Sequence, residues 1–414
     1  MVDHGPGATG TFPLIAGTPL AGDPGALVGT FDLLVVGGGI YGAWTALEGA
    51  LRGLRVALVE RGDWASGTSR TSSKLIHGGL RYLEHGDVGL VRKALRERTR
   101  LLRLAPHRVR PLRFVVPVTQ HGRLSRPMLH AGLFLYDLLA GGDLAGVERH
   151  AAWRRNEVLH AAPFLTPDVV GGFTYGDAGT DDAALVRDIV AAAQRSGAVC
   201  CAHTPVTALS RTNGSAPSGQ VTGAFLMGGE SIRARHTVLA AGPWACALAG
   251  LDARQVARFT KGVHVVLPPL PLRGPFTVPD TAFLLTAPQD GRVFFLIPWH
   301  GGTMVGTTDT DWLGDPDDIR VERADVDYLL AAVTATCPGL GWTVADVRDA
   351  WVGLRTMRRA TGGASALSRE WELLRPAAGL LLPLGGKLTS ARVEAVHIID
   401  AVHTTDDSGN STMG

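Results

Sequence analysis

The sequence predicts an α/β fold in which a parallel-sheet domain is interrupted by a β-rich α+β domain. Three observations carry this. Residues 31–60 read as strand, glycine-rich turn, helix and strand. Strands and helices alternate at both ends of the chain. Strand-like runs dominate the middle. At 414 residues the chain has room for two or three domains, or for one elaborated α/β unit with a large core.

Composition narrows the class. Hydrophobic residues make up 45% and charged residues 19%, a globular balance that excludes a disordered chain. The net charge of +2 argues against a dedicated nucleic-acid binder but leaves room for a local basic pocket. Cys200, Cys201, Cys246 and Cys337 form no CxxC pair. They read as reduced core thiols, and no metal centre is expected. No apolar run is long and uncharged enough to span a bilayer.

Taken in order, residues 1–30 lack the basic and apolar regions of a signal peptide and read as a flexible Gly/Pro/Ala-rich arm. DLLVV, residues 32–36, is a buried strand, and RVALVE, 55–60, is a second one. AWTALEGALRG between them has helical periodicity. Residues 88–104 form an amphipathic helix whose basic face suits either water or anionic lipid headgroups. MLHAGLFLYDLLA, 128–140, reads as a core helix or as a peripheral membrane contact. Residues 183–195 are helical, and HTVLAAGPWA is a strand running into a Gly-Pro turn. RVFFLIPW and GTMVGTTDT pair as a hairpin, and ADVDYLLAAVTATCP is a helix. GLLLPLGG enters a last helix, LTSARVEAVHIIDAV, and residues 405–414 read as a disordered tail.

Gly37, Gly39 and Gly42 give G-x-G-x-x-G between a strand and a helix. The first glycine permits the tight turn, the second lets backbone approach a pyrophosphate, and the third lets helix and strand pack closely. Phosphates then meet free N–H groups at the helix N-terminus. Glu60 ends the second strand, where a carboxylate accepts the hydroxyls of an adenosine ribose. This is a Rossmann-like nucleotide-binding unit, and the fingerprint alone does not separate FAD from NAD.

The segment GDWASGTSRTSSKLIHGGLRYLE, residues 62–84, is too polar for core and suits a backbone wrapped round a flat cofactor. RERTRLLRLAPHRVRPLRFVVP, AAGPWA, KGVHVVLP, FFLIPW, VGTTDTDWLGDPDD, VGLRTM and GGKLTSAR follow. In these motifs and their order, over residues 31–400, the sequence resembles the FAD-dependent glycerol-3-phosphate dehydrogenases. That family lies within the glutathione-reductase-like flavoproteins, beside D-amino-acid oxidase.

The resemblance implies FAD as the cofactor. It places around it Gly37, Gly39, Ile40, Tyr41, Gly42, Glu60, Arg61, Thr68, Ser69, Ser72, Ser73, Lys74, Leu75, His77, Gly78 and Gly79. Val206, Ala241, Gly242, Trp244, Gly353, Gly386, Lys387, Leu388 and Thr389 complete the set. His77 would line the isoalloxazine, and covalent attachment there stays open. The N-terminus of the last helix suits the flavin pyrimidine. The implied substrate is glycerol 3-phosphate or a close phosphorylated polyol, oxidised to dihydroxyacetone phosphate with hydride passing to flavin N5.

Arg81, Tyr82, His264, Arg355, Arg369 and Lys387 would surround that substrate. Arg355, Arg369 and Lys387 would clamp phosphate, although Lys387 also suits a place by the flavin. His264 is the candidate base, with an ordinary pKa near about 6.5. Tyr82 would hydrogen-bond the alcohol and Arg355 would stabilise an alkoxide. Asp309 in GTTD reads as orienting a neighbour or closing a turn, with the turn favoured. An oxidase of an amine, an amino acid or a carrier-bound glyceryl group on the same scaffold is the alternative, and a non-catalytic flavin binder is a third reading.

The expected division is a discontinuous FAD-binding domain of residues 31–125, 180–258 and 374–404, with a substrate domain of 126–179 and 259–373. Tyr41 stands where the family has Asn and must find room near the pyrophosphate or flavin. Thr389, Ser390, Ala391 and Arg392 replace a Thr-Thr-Tyr-Arg run, so one Tyr is absent. The resemblance implies a C-terminal helical domain in the family, which this chain is expected to lack. Electrons would pass to a quinone, a carrier or O2. The expected location is cytoplasmic or peripheral at the inner membrane face, with a homodimer left open and no nucleic-acid partner.

Overall fold

The computed structural model describes residues 7–120, 122, 125–212, 219–358 and 371–410, with side chains to residue 404. In chain order, β1 (Thr30–Val36), α1 (Ile40–Leu51) and β2 (Val56–Val59) form the opening unit. There follow β3 (Leu75–Ile76), α2 (Val88–Leu104), β4 (Val109–Thr119), α3 (Arg126–Ala140), β5 (Ala151–Arg154), α4 (Arg155–Ala161) and β6 (Val169–Thr180). Next come α5 (Asp182–Arg195), β7 (Val199–Cys201), β8 (Val206–Arg211), β9 (Val221–Leu226), β10 (Ser231–Leu239), α6 (Ala245–Ala249) and α7 (Ala253–Val256). Then β11 (Ala257–Leu267), β12 (Thr281–Thr286), β13 (Val293–Trp299), β14 (Gly302–Gly306), β15 (Thr310–Trp312) and α8 (Arg323–Thr336). β16 (Asp349–Arg358), β17 (Glu372–Ala377), β18 (Leu380–Leu384) and α9 (Ala391–Asn410) close the described chain.

Two sheets result. The first runs β17-β18-β10-β1-β2-β7, with the β8–β9 hairpin extending from β10. Its centre is parallel: β1 pairs with both β10 and β2, and β10 pairs with β18. Such strands are covered on both faces, which is why VALV and LLVV are unbroken apolar runs. Trp44, Leu47, Ile189 and Ile399 cover one face from α1, α5 and α9. The second sheet runs β15-β11-β14-β13-β12-β4-β6-β3 and is mostly antiparallel. β16 pairs with β11 from Ala257↔Arg358 to Val266↔Asp349, and the expected hairpin is β13–β14.

The division differs from the expected one. β3 and β4 belong to the second sheet, where Phe114 and Val116 pack against Phe173 and Tyr175. The stretch that precedes residue 125 thus gives its strands to the second sheet, while Leu101, Leu102 and Ala105 pack in the first core. α9 runs to Asn410, past residue 404 where the tail was expected to begin. All four cysteines are buried and unbridged.

The N-terminal arm also departs from expectation, because its backbone has fixed partners. The N–H groups of Ala8 and Thr9 donate to the two Glu48 carboxylate oxygens at 2.8 and 2.7 Å. Gly17 N–H donates to Asp188 at 2.8 Å, and Leu20 N–H donates to the Gln194 side chain at 2.9 Å. Leu14 is buried in the first core. A Gly/Pro-rich composition hid this, since backbone N–H groups bond without any side-chain signal.

α3 divides its faces. Leu129, Leu133 and Tyr136 are buried, whereas Met128, Phe134 and Leu138 are each more than 60% exposed. Among the described residues no helix is long and apolar enough to cross a membrane.

Candidate functional site: one cavity between two sheets

One cavity of about 1170 Å³ runs from the glycine turn of the first sheet to β13 and β16 of the second. It exceeds the roughly 300–1,000 Å³ of ordinary small-molecule pockets.

At its first end the backbone shapes the wall. Gly37 has φ +110, and a Cβ there would lie 2.6 Å from the Ala240 carbonyl oxygen. A Cβ on Gly42 would lie 1.8 Å from the Gly37 oxygen, so only glycine lets α1 start this close to β1. The α1 N-terminus forms part of the wall, and Ile40 N–H donates to Ser69 Oγ at 2.9 Å. Glu60 accepts Gly38 N–H at 2.6 Å and Gly62 N–H at 2.9 Å. A carboxylate has about four acceptor positions, so capacity remains for two ribose hydroxyls.

Of the residues expected around the cofactor, Gly37, Gly39, Ile40, Tyr41, Glu60, Arg61, Thr68, Ser69, Ser72, Ser73, Leu75, His77 and Gly79 line the cavity. Val206, Ala241, Gly242, Trp244, Gly386, Lys387, Leu388 and Thr389 line it too. Four others stand behind the wall. Gly42 serves the turn. Gly78 makes room for the Tyr136 hydroxyl, 2.4 Å from where its Cβ would be. Gly353 admits Thr71, whose Oγ1 would lie 2.3 Å from a Cβ. Lys74 is turned into the core, where Nζ bonds Asp182 at 2.7 Å and lies near the Trp299 and Trp351 rings. Burial pushes the Asp182 carboxyl up, against the attraction of Lys74.

Tyr41 has found its room across Gly386, where a Cβ would lie 1.6 Å from the phenol oxygen. Its hydroxyl donates a short hydrogen bond to Glu394, which also accepts Lys93 Nζ at 3.0 Å. Burial first, and then Glu394, push the phenol well above its ordinary pKa. The ring thus spans the N-terminal turns of α1 and α9.

The other end is built from side chains. Arg355 on β16 donates to Thr307 Oγ1 at 2.7 Å and to Asp309 at 3.2 Å. Asp309 therefore orients a neighbour, the less favoured of its two sequence readings. Lys387 Nζ lies 3.5 Å from the Tyr82 ring centre, and Arg81 shares the wall. Arg369 lies outside the described residues.

His264 on β11 is displaced from its expected place. It does not line the cavity; Ser73 does, and Ser73 Oγ is 2.9 Å from His264 Nε2. The imidazole is buried, stacked on Trp351, and Nδ1 has no hydrogen-bond partner among the described residues. Burial first, then Arg355 and Lys74, push its pKa down to about 3. The free protein therefore holds a neutral ring at pH 7, not one near half-protonation.

Several residues in the wall and behind it were not singled out from sequence. Gly262 and Gly306 leave space for Arg355 and His264, whose atoms would lie 2.4 and 2.2 Å from a Cβ. Isolated glycines inside strand runs were the available signal. Arg292, Phe114, Tyr175, Leu284 and Phe295 also line this end. Arg292 donates to the Asp309 carbonyl, and nothing in its local sequence marks it. Among the described residues no three His, Cys, Asp or Glu side chains could hold a metal.

The arrangement fits FAD. The cradle at Gly37 and Gly42 admits backbone close to a pyrophosphate, Glu60 is placed for a ribose, and the cavity continues past Tyr41 far enough for a ring system. The residues that would hold it are those of the glycine turn, the 66–79 wall and the 385–389 turn before α9.

Comparison with known proteins agrees. A family model described as "FAD dependent oxidoreductase" matches residues 32–381. The chain is 40% identical over 383 residues to glycerol-3-phosphate dehydrogenase 2 of Mycobacterium bovis, covering 90% of this chain and 63% of that protein. It is 34% identical to the aerobic glycerol-3-phosphate dehydrogenase of Bacillus subtilis, covering 90% of this chain and 67% of that one. The chain thus spans less than two thirds of the length of the mycobacterial relative. Among solved structures, glycerol-3-phosphate dehydrogenase from Bacillus halodurans, complexed with FAD, superposes with a TM-score of 0.70 at 30% identity, over 91% of this chain and 65% of that one. Glycine oxidase from Geobacillus kaustophilus, at 20% identity and TM-score 0.67, covers 91% of this chain and 95% of its own and shares the fold. By its sequence and by the cavity between its two sheets, the chain belongs to the FAD-dependent oxidoreductase family.

Proposed function

We propose that the chain oxidises sn-glycerol 3-phosphate, or a close phosphorylated polyol, to the corresponding ketone. One observation carries this reading: positive charge is in excess at the second end of the cavity. Arg81, Arg292, Arg355 and Lys387 line it; Arg355 is paired with Asp309 and Arg292 with Asp290, and the Asp177 of the wall is already ion-paired with buried Arg98 at 3.0 Å. A phosphate dianion meets that need, whereas an amine does not. The curated relatives named glycerol-3-phosphate dehydrogenase support the same substrate.

Bound FAD supplies a two-electron acceptor for the carbinol hydride. Arg355, fixed by Thr307 and Asp309, holds phosphate in one orientation and keeps the carbinol at the cavity wall. Phe114, Leu284 and Phe295 exclude water from that side. The hydroxyl proton has a path through Ser73 Oγ to His264 Nε2, since Ser73 stands between the cavity and the imidazole. Burial and then Arg355 and Lys74 keep His264 neutral; the incoming dianion opposes the two cations, so the basicity of the ring rises when substrate binds.

Electrons then leave to a separate acceptor. The outward row Met128, Phe134 and Leu138, beside exposed Arg92 and Arg96 of α2, supports contact with an anionic bilayer and a quinone there.

The test is anaerobic addition of sn-glycerol 3-phosphate to the yellow holoprotein. Rapid bleaching of the flavin absorbance is expected. Arg355→Gln should keep its colour and lose about two orders of magnitude in kcat/KM, near the cost of removing one partner of a buried charged contact. A wild-type protein that stays yellow with this donor but bleaches with an amine would overturn the assignment in favour of the amine-oxidase reading.

A further inference from the structure

The two sheets are joined across the rim of the cavity by three side chains. Arg61 follows Glu60 at the end of β2, and Trp244 follows β10; both line the nucleotide end. Asp317 belongs to the other sheet, in a short turn, Pro316–Asp318, beyond β15. Arg61 Nη2 donates to Asp317 Oδ1 at 2.8 Å, and Trp244 Nε1 donates to the same oxygen at 3.0 Å. The Arg61 guanidinium also lies over the Trp244 ring, 4.1 Å from its centre.

The perch of Asp317 is rigid. The Asp315 side chain accepts Asp317 N–H at 2.8 Å, and Trp312 Nε1 donates to the Asp315 carbonyl at 3.1 Å. Trp312 is itself held in the ladder between β15 and β11, opposite Phe259. Asp317 is thus fixed from the second sheet while it grips two wall residues of the first.

We propose that Asp317 is a positioning residue for the cofactor: it closes a clasp with Arg61 and Trp244 over the nucleotide end of the cavity and slows FAD release. Arg61 and Trp244 face the cavity on one side and Asp317 on the other. Outward movement of either wall residue must break a bond to the second sheet. An exposed ion pair alone contributes little. Here one carboxylate takes two donors and the cation also stacks on an indole. The neighbouring Arg61 holds the Asp317 carboxyl below its usual range, so it stays ionised at neutral pH. Because the two charged side chains are 50% and 59% exposed, added salt weakens the clasp.

The experiment dilutes FAD-loaded protein into cofactor-free buffer and follows the rise of free-flavin fluorescence, which reads release without any turnover. At low ionic strength Asp317→Asn should release FAD about five to ten times faster, a difference of about 1 to 1.4 kcal/mol. Wild-type release should approach the Asn variant's rate in about 1 M salt, where charges are screened within about 3 Å. Asp317→Glu keeps the charge and should recover most of the slow release. Asp318→Asn, on the same turn, should behave as wild type. Release from Asp317→Asn at the wild-type rate overturns the clasp. So does a Glu variant as fast as Asn, or an equal acceleration in Asp318→Asn.

Discussion

The two ends of the cavity solve different problems. The nucleotide end is made by backbone: a turn at Gly37, a helix start at Gly42 and a carboxylate anchored by two N–H groups. Its residues lie within one βαβ unit. The substrate end is made by side chains from β4, β12, β13 and β16 and the turn before α9, which meet only after the second sheet forms. There the cations are half-buried or, at Arg292, exposed, and the buried His264 behind them is driven to a pKa of about 3. Holding a dinucleotide needs close approach, which glycine supplies locally. Recognising a small anion needs cations held in place, and that takes long-range structure.

Breaking the first end should have the largest effect. Gly42→Ala puts a methyl group 1.8 Å from the Gly37 oxygen, a clash with backbone that no rotamer relieves. Overpacking of that severity costs about 3 kcal/mol or more, so FAD affinity should fall at least about a hundredfold. The ratio of absorbance at 450 nm to that at 280 nm in purified protein reads this directly.

His264 sharpens the contrast through pH. Its folded pKa, about 3, lies below the ordinary unfolded value of about 6.5. The unfolded chain therefore binds the proton first, and the group lowers stability as pH falls from about 6.5 toward about 3. The slope it adds approaches about 1.4 kcal/mol per pH unit in that window. His264→Gln should flatten this acid limb in denaturant titrations of the FAD-free protein. An unchanged limb would mean the imidazole is already charged in the fold.

The smallest effect lies where the two ends meet. Tyr41→Phe removes the donor to buried Glu394 and leaves Lys93 as its partner, a loss of about 1 kcal/mol. Retention of FAD should weaken several-fold while bleaching by substrate keeps its rate. The reverse pattern would move Tyr41 to the substrate end.

The same contrast explains what could be read in advance. The glycine turn and Glu60 were legible because their meaning is contained in about 30 residues of chain. Arg355 and Lys387 were singled out only through motif resemblance, since no local pattern brings β16 beside the turn before α9. Lys74 and His264 were misplaced outward because a polar stretch gives no sign of which side chain turns into the core. Arg292 was missed for the same reason: an ordinary arginine becomes a wall cation only when β13 pairs with β14. The arm at 7–20 was hidden because its partners bond backbone, which every sequence carries alike.

That arm bears on the order in which the molecule can be completed. Arg392 is fully buried, bonded to Glu97 through two nitrogens and to Thr9 Oγ1 at 3.1 Å. Residue 9 leaves the ribosome long before residue 392. Until α9 emerges, Glu97 and Thr9 wait without the Arg392 guanidinium, and β18, which pairs with β10, precedes it by only a few residues. The glycine turn, although contiguous in sequence, thus acquires its full support only once α9 has emerged, and cofactor capture waits for a helix more than three hundred residues downstream.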